Sequence, residues 1–344
     1  VLLKISAEHT SAVVAREIAN AAAAAFADQV PVLEQVAGTA ESPVEATVVR
    51  PAGLGARTQP GARLNIALGL VLGAISGFGA VVLRDRLDHT VRAEELEDLL
   101  GLPLLGRISG GDGVERDQVI CLAQPSSRPA EEFRSVRTNL RFADADELPR
   151  SIVVTSALDG EGTAGVLGNL AVVLAQAGDP VVVVCADLRH PRLDELVRVH
   201  RRPGLTSVLS GHATLDEALQ RWGDPALPLW ALAPGPLPGN PSEVLGSKEL
   251  ELLIRRLEDR ATFVLIETPP ALPFTDAAVV SAIASGVVLV ARSGRTPHDD
   301  VSSAVRALRA VGARLYGAVV TTPPRRLIDL GDTTSATTPR REEP

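Results

Sequence analysis

An α/β fold with a doubly wound, mostly parallel sheet is what this sequence predicts, and two observations predict it. Five apolar runs, Ile152–Val154, Val181–Val184, Phe263–Ile266, Gly286–Val290 and Leu315–Val320, have the continuous character of strands covered on both faces. Helical segments separate them: Thr163–Ala177, Leu215–Arg221, Ser247–Asp259, Asp276–Ile283 and Asp300–Val311. Strand and helix in strict alternation point to crossover connections and a parallel sheet.

Ahead of that pattern the chain reads differently. Leu2–Ser6 is strand-like, and an Ala-rich helix follows near Ala12–Val36, where Pro31 is expected to kink or break it. Residues 38–62 are rich in Gly, Pro, Ser and Thr and read as an extended linker. Residues 64–83, LNIALGLVLGAISGFGAVVL, are twenty positions without a charge, flanked by Arg63 and Arg84. Twenty helical residues span about 30 Å, the thickness of the bilayer core, so a membrane helix is expected rather than a buried core helix. Gly69, Gly73 and Gly77 lie on one face and suit close packing against another helix. Arg84, Arg86 and Arg92 after the span, against Arg57 and Arg63 before it, orient the C-terminal side to the cytoplasm. A short acidic helix at Ala93–Leu100 and a Gly-rich break at Gly110–Gly113 then lead to the α/β pattern, which begins near Pro125. The polar tail after Thr322 reads as disordered.

Composition excludes several functions. A net charge of −8 and 3% aromatic residues leave neither the basic surface nor the stacking platform of a nucleic-acid binder. The two cysteines, Cys121 and Cys185, have no metal-ligand spacing and make no disulfide framework. His190, His200, His212 and His298 are scattered as well. Lysine occurs only at Lys4 and Lys248.

The chemistry concentrates in SIVVTSALDGEGTAGVLGNLAVVLAQA, residues 151–177. A strand, a glycine turn and a helix follow one another there, which is the setting of a phosphate-binding loop. Gly160, Glu161 and Gly162 supply backbone N–H groups at a helix N-terminus, where anions are attracted. A working loop then carries Lys, which reaches the phosphates, and Ser or Thr, which holds Mg²⁺. Here Thr163 and Ala164 occupy those positions. Asp187 and Arg189 end the second strand, where open α/β sheets bind ligands. Asp187 is a candidate Mg²⁺ ligand or base and Arg189 a candidate replacement cation; a helix cap, or an ion pair of Asp187 with Arg189 or Arg192, is the structural alternative. Glu267, after the apolar strand Phe263–Ile266, stands where a second Mg²⁺ carboxylate is expected; a solvated strand end is its structural alternative. Glu131, Arg134 and Arg137, three apart, line one helix face and either meet solvent or pair across a subunit boundary.

Together these segments resemble a bacterial tyrosine kinase (BY-kinase) of the polysaccharide co-polymerase group. In that family a Wzz-type chain-length-determinant membrane region is fused to a cytoplasmic P-loop domain. The likeness rests on RDRLDHTVR and LLGLPLLGRI after the apolar stretch, PAEEFRSVRTNLRF at 129–142, and LAPGPLPGNPSEVLGS at 232–247. The resemblance implies five parts. Residues 1–62 are a Wzz-like remnant plus linker, and 63–84 a transmembrane helix. Residues 85–124 are a juxtamembrane segment, 125–322 a cytoplasmic P-loop domain and 323–344 a disordered tail. It also implies ATP with Mg²⁺ as cofactor, and the inner membrane as location. Self-assembly would run through the motif at Glu131, Arg134 and Arg137. Partners would be polysaccharide polymerase or export machinery, or an active kinase homologue.

The departures sit at the active site. The family has Lys and Ser/Thr at Thr163 and Ala164, Asp-x-Asp at Cys185-Ala186-Asp187, Asp at Glu267, and a tyrosine cluster after position 316. Phosphoryl transfer is positioning and charge stabilisation, so losing these groups removes most of the catalysis. The expectation is a pseudokinase scaffold with weak or absent ATP binding. An active tyrosine kinase or ATPase using Glu267, Asp187 and Arg189 is the alternative. A partitioning ATPase of the MinD/ParA group is a third reading, disfavoured by the apolar stretch and the missing lysine.

Overall fold

A computed structural model describes residues 2–33, 46–56, 62–87, 90–91, 101–110, 118–144 and 148–322. The expected helix at 93–100 and the expected disordered tail lie outside them. The chain divides into two units, Val1–Asp85 and Arg86–Pro344.

The first unit holds the helix Ala12–Leu33 and all but the last two residues of the helix Ala62–Leu87. Leu2–Ser6 forms no strand. The first helix is described from Ala12 to Leu33 and continues through Pro31, so the proline does not break it there. The second helix covers the charge-free stretch, and Ile66, Leu68, Leu70, Ile75 and Phe78 on it are all exposed. Among the described residues, however, no helix is long and apolar enough to cross a membrane. A helix over 64–83 is therefore present, and the expected membrane span is not supported among the described residues.

The second unit is built on one eight-stranded sheet. Its strands are β1 (Leu104–Ser109), β2 (Ser151–Ser156), β3 (Val181–Cys185), β4 (Leu219–Arg221), β5 (Leu229–Leu232), β6 (Phe263–Glu267), β7 (Gly286–Arg292) and β8 (Leu315–Thr322). Their order is β1-β8-β7-β2-β6-β3-β5-β4, and all pairs are parallel except β4 with β5 at the edge. Alternate strand residues feed two cores. Val182, Val184, Val264 and Ile266 face one side with the helices Lys248–Glu258 and His298–Ala310. Val181, Val183, Phe263 and Leu265 face the other with Arg128–Arg141 and Thr163–Gln176. Because both faces are covered, the strands read as unbroken apolar runs.

Local signals start these helices. Ser127 and Ser247 cap two of them, each accepting a backbone N–H three residues on. Leu250, Leu253, Ile254 and Leu257 then recur at helical spacing and are buried, while Glu249 and Glu251 open the helix and Arg255 and Arg256 close it.

The segment Leu215–Arg221, expected to be one helix, splits. A capping box between Thr214 and Glu217 starts a turn of helix at Leu215–Ala218, and β4 then pairs antiparallel with β5. Gly286 opens β7 with no room for a side chain: a Cβ there would lie 2.3 Å from Tyr316 Cε2. The tyrosine ring is packed against that strand, and its hydroxyl donates to Ser285 O at 2.9 Å.

Candidate functional site

In the sheet, β6 lies between β2 and β3, with Glu267 beside Val154 on one side and Cys185 on the other. The C-terminal ends of these three strands therefore meet, which is where open α/β sheets place ligands. The turn after β2 needs left-handed backbone at Gly160 (φ 76°) and Gly162 (φ 88°), the residue that caps the helix Thr163–Gln176. Between turn and strand ends lies a cavity of about 50 Å³, lined by Gly160, Gly162, Thr163, Ala164, Asp187 and Glu267, with Asp159, Arg192 and Thr268 also on its wall. Cavities that enclose whole ligands measure roughly 300–1,000 Å³, so this one has room for a phosphoryl-sized group and not for a nucleoside.

The structure brings most of the expected residues together and reassigns two. Glu161 belongs to the loop, but its carboxylate turns back into it. Ala157 N–H donates to Glu161 Oε2 at 3.1 Å, and the Thr296 hydroxyl donates to Oε1. Both oxygens brace the turn, although the residue is also on the cavity wall. Arg189 does not line the cavity at all. Its guanidinium forks onto Asp276, Nε to Oδ2 at 2.6 Å and Nη2 to Oδ1 at 3.1 Å, and covers the Phe274 ring at 4.2 Å. A cation held by a buried carboxylate in this way is not the replacement for the missing lysine.

Asp187 Oδ1 accepts the backbone N–H groups of Arg189 and His190 at 3.0 and 2.9 Å, which fixes the turn leaving β3. Asp187 also lines the cavity. Glu267 is buried. Burial pushes its pKa well above the ordinary value, the negative neighbours Asp187 and Asp194 add to this, and the Leu193 backbone and Arg192 oppose it. Its Oε2 and the Thr268 hydroxyl have no hydrogen-bond partner among the described residues. Cys185, where the resemblance implies a carboxylate, is buried in the sheet, and burial raises its thiol well above the usual value, which keeps it a neutral thiol.

Two carboxylates on one cavity wall, one of them with an unpartnered oxygen, fit a Mg²⁺ that shares its coordination with phosphate oxygens and water. Ala164 offers no hydroxyl to complete the set. Among the described residues no cluster of three or more His, Cys, Asp or Glu side chains is arranged to hold a metal.

Sequence reasoning missed Thr268, Arg295 and Thr296, and placed Arg192 only as an ion-pair alternative for Asp187. Arg192 lines the cavity, with Nη2 3.9 Å from Asp159 Oδ2. Nothing in Asp187-Leu188-Arg189-His190-Pro191-Arg192 says which arginine faces the loop; the turn at Asp187 decides it. Arg295 Nη1 reaches Gly160 O at 3.4 Å, and Val91 N–H donates to Thr296 O at 2.8 Å. These residues come from the far end of β7, and only the β2–β7 pairing brings them to the turn.

Of the helix-face triplet, Arg134 pairs with Glu131 and donates to Pro125 O at 2.6 Å, while Arg137 donates to Val173 O at 2.8 Å. Arg137 thus joins its helix to the loop helix, and Glu131 is the most exposed of the Glu131–Arg134 pair.

Burial pushes the Glu161 carboxyl up to about 7, against the Thr296, Leu158 and Ala157 hydrogen bonds and the Arg295 charge. The folded state then keeps a proton that the unfolded chain, near 4.5, releases. Stability is expected to fall as pH rises from about 4.5 to 7, by on the order of 3 kcal/mol when complete. Thermal midpoints at pH 5 and pH 8 check this. Glu161→Gln should reduce the difference, leaving the part due to Glu267, and an undiminished difference would assign the effect elsewhere.

No family model matches the chain. It is 36% identical over 214 residues to tyrosine-protein kinase YwqD of Bacillus subtilis (strain 168), covering 62% of this chain and 89% of that protein. It is 28% identical over 282 residues to tyrosine-protein kinase Etk of Escherichia coli (strain K12), covering 76% of this chain but 39% of Etk, so it spans about two fifths of that relative. Among solved structures, the chimerical protein CapA2B2 superposes with a TM-score of 0.63 at 34% identity, over 68% of this chain and 100% of that one.

Proposed function

Because the chain belongs to the bacterial tyrosine-protein kinase family, we propose that it is a kinase-like member that no longer transfers phosphate and acts as a scaffold in polysaccharide assembly and chain-length control. The observation that carries this reading is the substitution at the start of the loop helix. Thr163 and Ala164 line the cavity where a cation and a metal-binding hydroxyl are needed. The only tyrosine in the 344 residues supports it. Tyr316 is 4% exposed and hydrogen-bonded, so it is not an acceptor in the folded chain.

Asp187 and Glu267 would hold Mg²⁺ if it enters with a nucleotide, and the ion would neutralise phosphate charge there. Residues 64–83 would anchor the chain in the inner membrane. Their lack of charge and the exposed apolar side chains of the helix Ala62–Leu87 support this. Glu131 and Arg134 would meet a second copy of the chain, with Arg137 bracing their helix from within. A polymerase, an export component or an active homologue would be the further partner.

Incubating the chain with Mg-ATP is expected to yield neither ADP nor phosphotyrosine, on itself or on an added tyrosine-rich polymer. Turnover abolished by Glu267→Gln would overturn this and establish the altered-site enzyme instead. Light scattering on Arg134→Glu tests the assembly, and an unchanged mass would remove it.

A further inference from the structure

We propose that Arg192 binds the phosphate groups of a nucleoside diphosphate or triphosphate, standing in for the lysine that the loop lacks. This rests on the reading of the loop as a nucleotide site that has lost its catalytic groups.

The turn supplies backbone N–H groups and the positive end of a fourteen-residue helix. A phosphate chain carries more charge than those donors balance, so a full cation is needed beside them. Among the arginines close to the turn, one lines the cavity. Arg189 is committed to Asp276 and faces Phe274. Arg295 lies against the Gly160 carbonyl and is not on the cavity wall. Arg192 is on the wall, with the turn at Asp159 on one side and its charge acting on Glu267 across the cavity.

Two further atoms point to an occupant. Thr268 and Glu267 line the same cavity, are 3% and 4% exposed, and leave Oγ1 and Oε2 without a partner among the described residues. Buried polar atoms are nearly always satisfied, and a turn of either side chain toward the cavity would bring its oxygen to a phosphate, metal or water there.

The chemistry of the side chain suits the task. A guanidinium presents a planar fork that matches two phosphate oxygens and keeps its charge at any physiological pH. The Arg192 side chain is 55% exposed and holds Asp159 only loosely, at 3.9 Å. Turning to a ligand therefore sacrifices a weak surface pair. Asp159 becomes a competitor for the arginine, which gives the proposal a second, opposite prediction.

The experiment is calorimetric titration of Mg-ADP into the full chain, its Arg192→Ala, Arg192→Lys and Asp159→Asn variants, and Arg295→Ala as comparison. Loss of a charge-assisted phosphate contact is expected to weaken binding in Arg192→Ala by at least about tenfold. Arg192→Lys should bind more weakly than the native chain but more tightly than Arg192→Ala, because a lysine keeps the charge and loses the fork, and Asp159→Asn should bind more tightly than the native chain, because the asparagine no longer competes. Equal affinity of Arg192→Ala and the native chain overturns the assignment, and so does a native chain that gives no heat with millimolar Mg-ADP. Phosphate transfer detected in parallel would sink the non-catalytic reading and leave the role of Arg192 to be decided by these affinities alone.

Discussion

Replacing Thr163 with Lys and Ala164 with Thr in one variant is expected to tighten Mg-ATP binding by roughly a hundredfold. Each new group adds a contact with a charged partner, worth on the order of 1.5–3 kcal/mol where it forms. The frame to receive them is in place: Gly160 and Gly162 already adopt the left-handed backbone of the turn, and Thr163 and Ala164 already line the cavity. Titration of Mg-ATP into native and double-variant chains checks this. If the double variant binds no better, the closed shape of the cavity, not the missing side chains, limits the site. In that case the strand ends themselves have drifted from a nucleotide-binding geometry.

Asp276→Ala should have the largest effect on stability. Its side chain is fully buried, bound by both donors of Arg189 and by the Ser242 hydroxyl. Breaking one partner out of a buried pair costs about 3–5 kcal/mol, and the 25% exposure of Arg189 places this case near 3 kcal/mol. For a unit of this size that is a fall of roughly 6–12 °C in thermal midpoint. The pH dependence supplies a control. Burial disfavours the Asp276 charge, but the hydrogen bonds of Arg189 and Ser242 and the charge of Arg189 overcome it and hold the carboxyl below its usual value. Its contribution is thus complete above the ordinary carboxylate range and is lost as pH falls through the lowered folded value. The variant and the native chain should converge in acid, below about pH 4. A midpoint unchanged at pH 7 would show that Arg189 finds another partner.

The central strands were legible because both faces of the sheet are covered. Each of β2, β3, β6, β7 and β8 contains the apolar run that announced it. The edges were not. β1 carries Gly106 and Arg107 within six residues, and β5 is four residues among Pro225, Pro228 and Pro234, so neither offers a run long enough to read. The site divides the same way. The turn and Glu267 follow from strand–turn–helix order, which is local. Arg192, Arg295 and Thr296 reach the turn through side-chain direction and through β7 lying beside β2, and these are properties of the folded sheet. Glu161 shows the limit from the other side: its position in the motif is local, but its role as a brace depends on Thr296, 135 residues away.

The packing of Tyr316 against Gly286 has a practical consequence. A chain whose single tyrosine is sealed inside its sheet is a blank for any phosphotyrosine-specific antibody while it remains folded. Mixed with another kinase, it contributes no background of its own. Every increment of signal in such a mixture belongs to the other protein, so the effect of this chain on a partner can be read directly, without separating the two.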